Sequence, residues 1–316
     1  MYLEYLWNHW LIVAFLSPFF WALSNITDIY FVTGVYEDEW DGVFINAFFQ
    51  LMPWLLPLFG LVAFHFSGFW VTVLALLAGG FLMLSYFFYF KTLFISNDMV
   101  ILEALWNISI PLVPFLAWLF LGERLTLINY LGMLLAFAGA IIFALHKKIR
   151  SKRLKDVFIT MMGGVLFLSL SMIFQTKVYQ VLDGDFWIGF LLFSAGASLT
   201  GFLFTFFDSK TIRARVQHLF RMSKDYFAFF LLAESLNLLG VVTLQRAVDI
   251  SPSVSFVTAI GSLAPVFVLV LSFLLVLVMV FLNQGKARKM YQDQLVGFKT
   301  KIFACCIIAV GVYLIS

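Results

Sequence analysis

YFKTLFISNDMVILEALWNISIPLVPFLAWLFLGERLTLINYLGMLLAFAGAIIFAL, residues 89–145, sets two apolar runs on either side of a short hinge, Gly122-Glu123-Arg124-Leu125. As helix, a run of about 20 residues crosses a hydrocarbon layer. The first run nevertheless carries Glu103, Asn107, Pro111 and Pro114. At about 100° per residue these four fall within about 80° of one another. Polar groups are costly in lipid, so a stripe that narrow faces protein or water and is a candidate wall for a solute path, with Trp106 beside it to stack a ligand. Pro111 deprives the carbonyl of Asn107 of its helical donor, and Pro114 does the same to Ile110. The alternative is that Glu103 lies a turn or two inside and snorkels outward while the prolines merely kink the helix.

The whole chain shares this character: 63% of its 316 residues are hydrophobic, 12% are charged, and 40 are Phe. A soluble domain has about half apolar and a quarter charged residues, so this chain has too little polar surface for water. The net charge of +3 is no nucleic-acid signal, because the basic residues sit in loops between apolar runs. The N-terminus, MYLEYLWNHW, lacks a basic start and a small-residue cleavage site, so the first helix is expected to stay. Cys305 and Cys306 point about 100° apart on a helix, which suits packing rather than a metal or disulfide pair.

Ten segments are predicted to span: 9–31, 43–65, 69–91, 97–121, 127–146, 157–179, 185–207, 226–247, 252–281 and 300–316. None alternates in polarity as barrel strands do. The expected class is therefore an all-α integral membrane protein with ten transmembrane helices. Seventeen of the 20 Lys and Arg fall on one side, in loops 146–156, 208–225 and 282–301 and at Lys91. That side should be cytoplasmic, which places both termini outside. A plasma (inner) membrane is the expected location.

An internal repeat divides the chain. Lys91-x3-Ile95-Ser96 recurs as Arg246-x3-Ile250-Ser251, each followed by a long apolar helix with a proline, Pro111 or Pro265. The halves close alike, AGAIIFAL at 138–145 and VGVYLIS at 310–316, and WALSNITDIY at 21–30 has an echo in FLSLSMIFQTKVY at 167–179. Residues 1–146 and 157–316 read as two repeats joined by the basic linker 147–156. Five helices per repeat invert the second copy in the bilayer, an architecture suited to alternating access about a midplane site.

The first-helix sequence FFWALSN, the LGERLT joint at 121–126 and the closing LAFAGAIIFAL at 135–145 resemble the EamA-type permeases of the drug/metabolite transporter superfamily. The resemblance covers nearly the whole chain and rests on the order and spacing of loose motifs. It implies export or exchange of small metabolites, amino acids or drugs, with helices one to four and six to nine around a central cavity and helices five and ten outside. Two departures bear on mechanism. The lysine often found near the end of helix one is replaced by Ile29, beside Asp28, while Lys177 takes that place in the second half. The first helix also lacks the glutamate that related four-helix exporters use as proton carrier.

Other candidates follow from polar residues in apolar runs. Glu234, with Asn237 one turn on, is the best candidate for proton coupling or for a cationic group; the alternative is a structural partner for another helix. Asn25 shares a face of helix one with Asp28, which is either an interfacial cap or a gate. Thr258, Ser262 and Pro265 on helix nine form a counter-wall. Lys91 and Arg246 pair with Asp98 and Asp249 as gate latches, or serve as helix-end dipole partners; Lys177 joins the candidate gates. Glu123 and Arg124 read as a turn-level ion pair, and Ser194, Ser198 and Gly201 as small residues for close helix approach.

Neither catalysis nor a metal site is indicated. His9, His65, His146 and His218 are scattered, and no HExxH, GxSxG or P-loop occurs, so no cofactor is expected beyond a proton or counter-substrate for coupling. The expected function is secondary transport of a small organic solute, as a monomer or homodimer in contact with lipid. The alternatives are a flippase for a lipid-linked substrate and a non-transporting scaffold or receptor.

Overall fold

A computed structural model describes residues 6–34, 36–96, 102, 105–145, 154–205, 217, 227–281 and 297–315; side chains are described for most of these. Among them all regular structure is helical. Seven helices are long and apolar enough to cross a membrane, with windows at Trp10–Thr27, Phe69–Ile95, Lys155–Leu182, Phe186–Thr205, Leu231–Ile250, Val254–Leu277 and Phe298–Ile315. Two shorter apolar helices, Ser109–Leu121 and Leu127–Ile142, accompany them. The chain is thus a helical multi-pass assembly by length and composition.

In chain order the elements are α1 (Trp10–Gly34), α2 (Glu39–Phe49), a 3-10 turn (Met52–Trp54), α3 (Leu55–Leu58), α4 (Phe69–Ser96), α5 (Ser109–Leu121), α6 (Leu127–Leu145), α7 (Leu154–Leu182), α8 (Phe186–Thr205), α9 (Phe227–Ile250), α10 (Val254–Gly261), α11 (Ala264–Phe281) and α12 (Phe298–Ile315). The expected continuous span at 43–65 is not formed. Asp38 caps α2 early by accepting from the Trp40 and Asp41 amides, and Pro53, Pro57 and the left-handed Gly60 stop the helix from resuming at length.

The expected spans at 97–121 and 252–281 are each interrupted. Asn107-Ile108 is a turn between Trp106 and α5, and Ser262-Leu263 is a turn between α10 and α11. In both places a proline follows within four residues and removes an i→i−4 donor. The chain tightens instead: the Ile110 amide reaches the Asn107 carbonyl at 3.0 Å, and the Leu263 amide reaches Ile260 at 3.0 Å.

Packing holds α1 against α9, α4 against α7 and α8, and α6 against α12. Glycine makes the closest approaches. A Cβ at Gly79 of α4 would lie 1.8 Å from the Phe193 carbonyl oxygen of α8, and one at Gly196 of α8 would lie 2.1 Å from that of Leu76. Serine hydroxyls then bond carbonyls across helices, Ser17 to Gly240 at 3.0 Å and Ser85 to Gly164 at 2.8 Å. Ser194 and Ser198 do the same toward Gln50 and Ala47, so the small residues of α8 dock it onto α2 as well.

Candidate functional site

Both proline-broken segments give residues to the wall of one cavity. Its volume is about 90 Å³. Trp21 and Asn25 of α1, Asn46 of α2, Trp106 and Asn107 of the first break, and Asn237 of α9 line it. Thr258 and Gly261 of α10 also line it, with Tyr86, Tyr89 and Phe90 of α4. Trp106 stands edge-on to Tyr89, centroids 5.5 Å apart.

Asn25, Trp106, Asn107, Asn237 and Thr258, expected along a path, thus meet at one cavity. Others do not. Pro111 is exposed and belongs to a separate apolar groove between α5 and α6, with Pro114, Trp118 and Tyr130. The turn at Asn107-Ile108 breaks the helical phase, so the stripe counted on an unbroken helix divides between the inside and the outside. Ser262 is fully buried and donates to the Ala259 carbonyl at 2.5 Å, closing the end of α10 rather than lining the cavity. Glu103 and Asp98 lie outside the described residues, as does the side chain of Asp28.

Glu234 is 3% exposed and lies behind the cavity wall. The Tyr36 hydroxyl donates to its Oε1 at 3.4 Å. One turn further along α9, the Asn237 amide donates to Asn46 Oδ1 at 2.6 Å, while Asn46 donates to the Gly42 carbonyl at 3.0 Å. Two side-chain bonds therefore tie α9 to α2 and to Tyr36, three residues ahead of it, the first from a residue of the cavity lining.

Beyond Leu244, the next turns of α9 enter an aromatic cluster. Arg246 lies 5.6 Å from the ring centroid of Trp7 and 5.4 Å from that of Phe186. It pairs with Asp249 and also donates to Asn8 Oδ1 at 2.6 Å. Phe186 stacks on Tyr179 and Phe190, and Trp7 on Trp187. Arg246 thus fastens the start of the chain to α9. Lys177 is exposed and so is no part of this cluster, because its position on α7 turns away from the neighbours of Tyr179. Lys91 is half-buried, 5.6 Å from the Phe87 ring centroid.

Beside the cluster, Glu123 turns to the Ser253 hydroxyl instead of pairing within its own turn with Arg124, which is exposed. Ser253 also caps α10 by accepting from the Phe256 amide at 3.3 Å. Burial pushes the Glu123 carboxyl above its ordinary range, and hydrogen bonds from Ser253 and Ser255 counter part of that rise. Among the described residues no three of His, Cys, Asp and Glu are grouped to hold a metal ion.

Composition and spacing did not single out Asn46, Tyr36, Trp21, Tyr86 or Tyr89. An amide in the apolar run at 43–65 is the signal that points to Asn46; the aromatic residues carry none in a chain where 19% of residues are aromatic.

No family model matches the chain, and no curated protein matches it. A solved structure described only as "Crystal structure of protein" is similar over 96% of this chain and 94% of that one, with a TM-score of 0.59 at 16% identity. At that identity the likeness concerns the fold alone.

Proposed function

We propose that the chain is a secondary transporter of the EamA-like type that moves a small organic solute by alternating access. The observation that carries this reading is the cavity to which two proline-broken segments both contribute, together with amide and aromatic side chains of α1, α2, α4 and α9. Broken helices at a bundle's centre free backbone acceptors where a solute sits, as transporters require.

The packing also favours two inverted repeats. α1 lies on α9 and α4 lies on α7, the same pairing if the halves are exchanged. Each pair is bridged by a serine hydroxyl to a glycine carbonyl, Ser17 to Gly240 and Ser85 to Gly164. Ser85 and Gly240 each precede the repeat-related cations Lys91 and Arg246 by the same number of residues. The paired closing helices α6 and α12 meet at Gly132 and Gly311, where a Cβ on Gly311 would lie 2.6 Å from the Gly132 oxygen.

With the basic loops on the cytoplasmic side, the Arg246 cluster closes the non-cytoplasmic end. Opening it requires α1 and α9 to part from α8, with Arg246 exchanging its partners. Glu234, one turn from the cavity and bonded to Tyr36, is the group we assign to proton coupling. No catalytic step is assigned to any residue.

Uptake of labelled metabolites into proteoliposomes, with and without a pH gradient, tests the reading. Saturable flux that responds to the gradient supports it. Movement of lipid-linked sugars alone favours the flippase, and no flux of either kind leaves a scaffold or receptor.

A further inference from the structure

We infer that the groove between α5 and α6 is a lipid site: it takes one acyl chain of an anionic phospholipid, whose phosphate Arg124 meets. The inference stands whether or not the cavity carries a solute.

The groove follows from how α6 is packed. Gly132 and Gly139 press α6 onto α12, so closely that a Cβ on Gly132 would lie 2.7 Å from the Gly311 oxygen, and one on Gly139 2.7 Å from an Ile308 side-chain carbon. Held there, α6 stands off α5, and a space of about 280 Å³ opens between them. Buried Ile110, Pro114 and Met133 form its floor; exposed Phe115 and Trp118 on α5 and Leu134 on α6 form its rims. The lining positions 111, 114, 115 and 118 on α5 and 130, 133, 134 and 137 on α6 repeat at helical spacing. Both walls therefore follow their helix axes for about 10 Å. A trough of this shape suits a chain lying along the helices.

One end of the trough is marked for a headgroup. Trp118 and Tyr130 are the lining residues nearest the connection 122–126, and indole and phenol rings belong at headgroup level. Arg124 sits in that connection and is exposed, because its neighbour Glu123 turns to Ser253. Seventeen of the 20 Lys and Arg fall on the side expected to be cytoplasmic, so the charge bias that sets orientation does not account for an arginine here.

The two parts together define the ligand. Lipid tails are as apolar as the lining, so a chain alone would show no preference over bulk lipid. A cation at the mouth supplies the preference, for a headgroup of net negative charge over a zwitterionic one. A second copy of the chain suits this face less well, since a two-fold interface centred on the trough would set one concavity on another.

Nanodiscs of the full chain test the site, made with diazirine-bearing phosphatidylglycerol or phosphatidylcholine at equal mole fraction and followed by peptide mapping. Phosphatidylglycerol should label residues 110–137 about fivefold more than phosphatidylcholine, the effect of one cation near a lipid surface. Arg124→Gln should remove that preference and Arg124→Lys should keep it. Leu134→Trp fills the trough from an exposed position, so it should lower labelling by both lipids severalfold at an unchanged melting temperature. Equal labelling by the two lipids, a preference that survives Arg124→Gln, or labelling indifferent to Leu134→Trp overturns the inference. A dimer that Leu134→Trp dissociates would make this face an interface between copies and overturn it too.

Discussion

The seam between α4 and α8 and the seam between α2 and α9 are built from opposite materials, and α4, α2 and α9 each give residues to the cavity. In the first, Gly79, Gly80 and Gly196 let one backbone lie against the other, so close that no Cβ fits at Gly79 or Gly196. In the second, contact is sparse and two side-chain bonds cross it, Tyr36 to Glu234 and Asn237 to Asn46. Close glycine packing has no second arrangement at small cost, whereas hydrogen bonds between side chains can exchange partners. In the proposed transport cycle the first seam serves as a hinge plate and the second as a latch.

The strongest way to break this comparison is to force the tight seam apart. Gly79→Leu places its side chain against a backbone oxygen that cannot move without its helix. Overpacking of this kind costs about 1–3 kcal/mol or more. Size-exclusion of the detergent-solubilised protein should show a large loss of monodisperse material, and wild-type yield and melting temperature would refute the tight seam.

Next in size is the latch's buried carboxylate. Glu234→Gln keeps an acceptor for Tyr36 and should leave folding intact. Gradient-driven flux in proteoliposomes should nevertheless fall at least tenfold, and unchanged flux would remove Glu234 from coupling. Smaller still is the amide pair. Asn46→Ala and Asn237→Ala should each lower stability by about 0.5–1.5 kcal/mol, with a coupling in the double-mutant cycle of about 0.6 kcal/mol, typical of bonds between helices in a membrane. Strict additivity would show that the two amides do not depend on each other.

The smallest effect is expected at Glu123. Because burial raises the Glu123 carboxyl in the folded state above its ordinary value of 4.5, folding favours its protonated form. Its contribution is complete below that value and is lost as pH rises through the raised one. Glu123→Gln should flatten the decline of melting temperature across that window, and an unaltered pH profile would argue against the burial.

Much of this was legible in the residues. Runs such as 69–91 and 157–179 have the length and composition of spans and fold as α4 and α7. Asn25, Asn107, Asn237 and Thr258 stood out as polar groups in apolar runs, and all four line the cavity. What failed was phase. Counting 100° per residue from Glu103 to Pro114 assumes an unbroken helix, yet the proline used as evidence for a path also breaks it and turns Pro111 to the outside. The run at 43–65 hid Asn46 for a related reason: local capping by Asp38 and the prolines at 53 and 57 divide a stretch whose composition alone reads as one span. The pairing of Glu123 with Ser253 was illegible because its partner lies 130 residues away.

Spin-label distances across both seams in lipid nanodiscs put the central claim to the most direct test. Labels at exposed Phe48 and Leu239 report on α2 and α9, and labels at exposed Leu77 and Leu199 report on α4 and α8. The account predicts two distance populations for the first pair, shifting in ratio with pH, and one narrow population for the second. A single, pH-independent distance across α2 and α9 would contradict it.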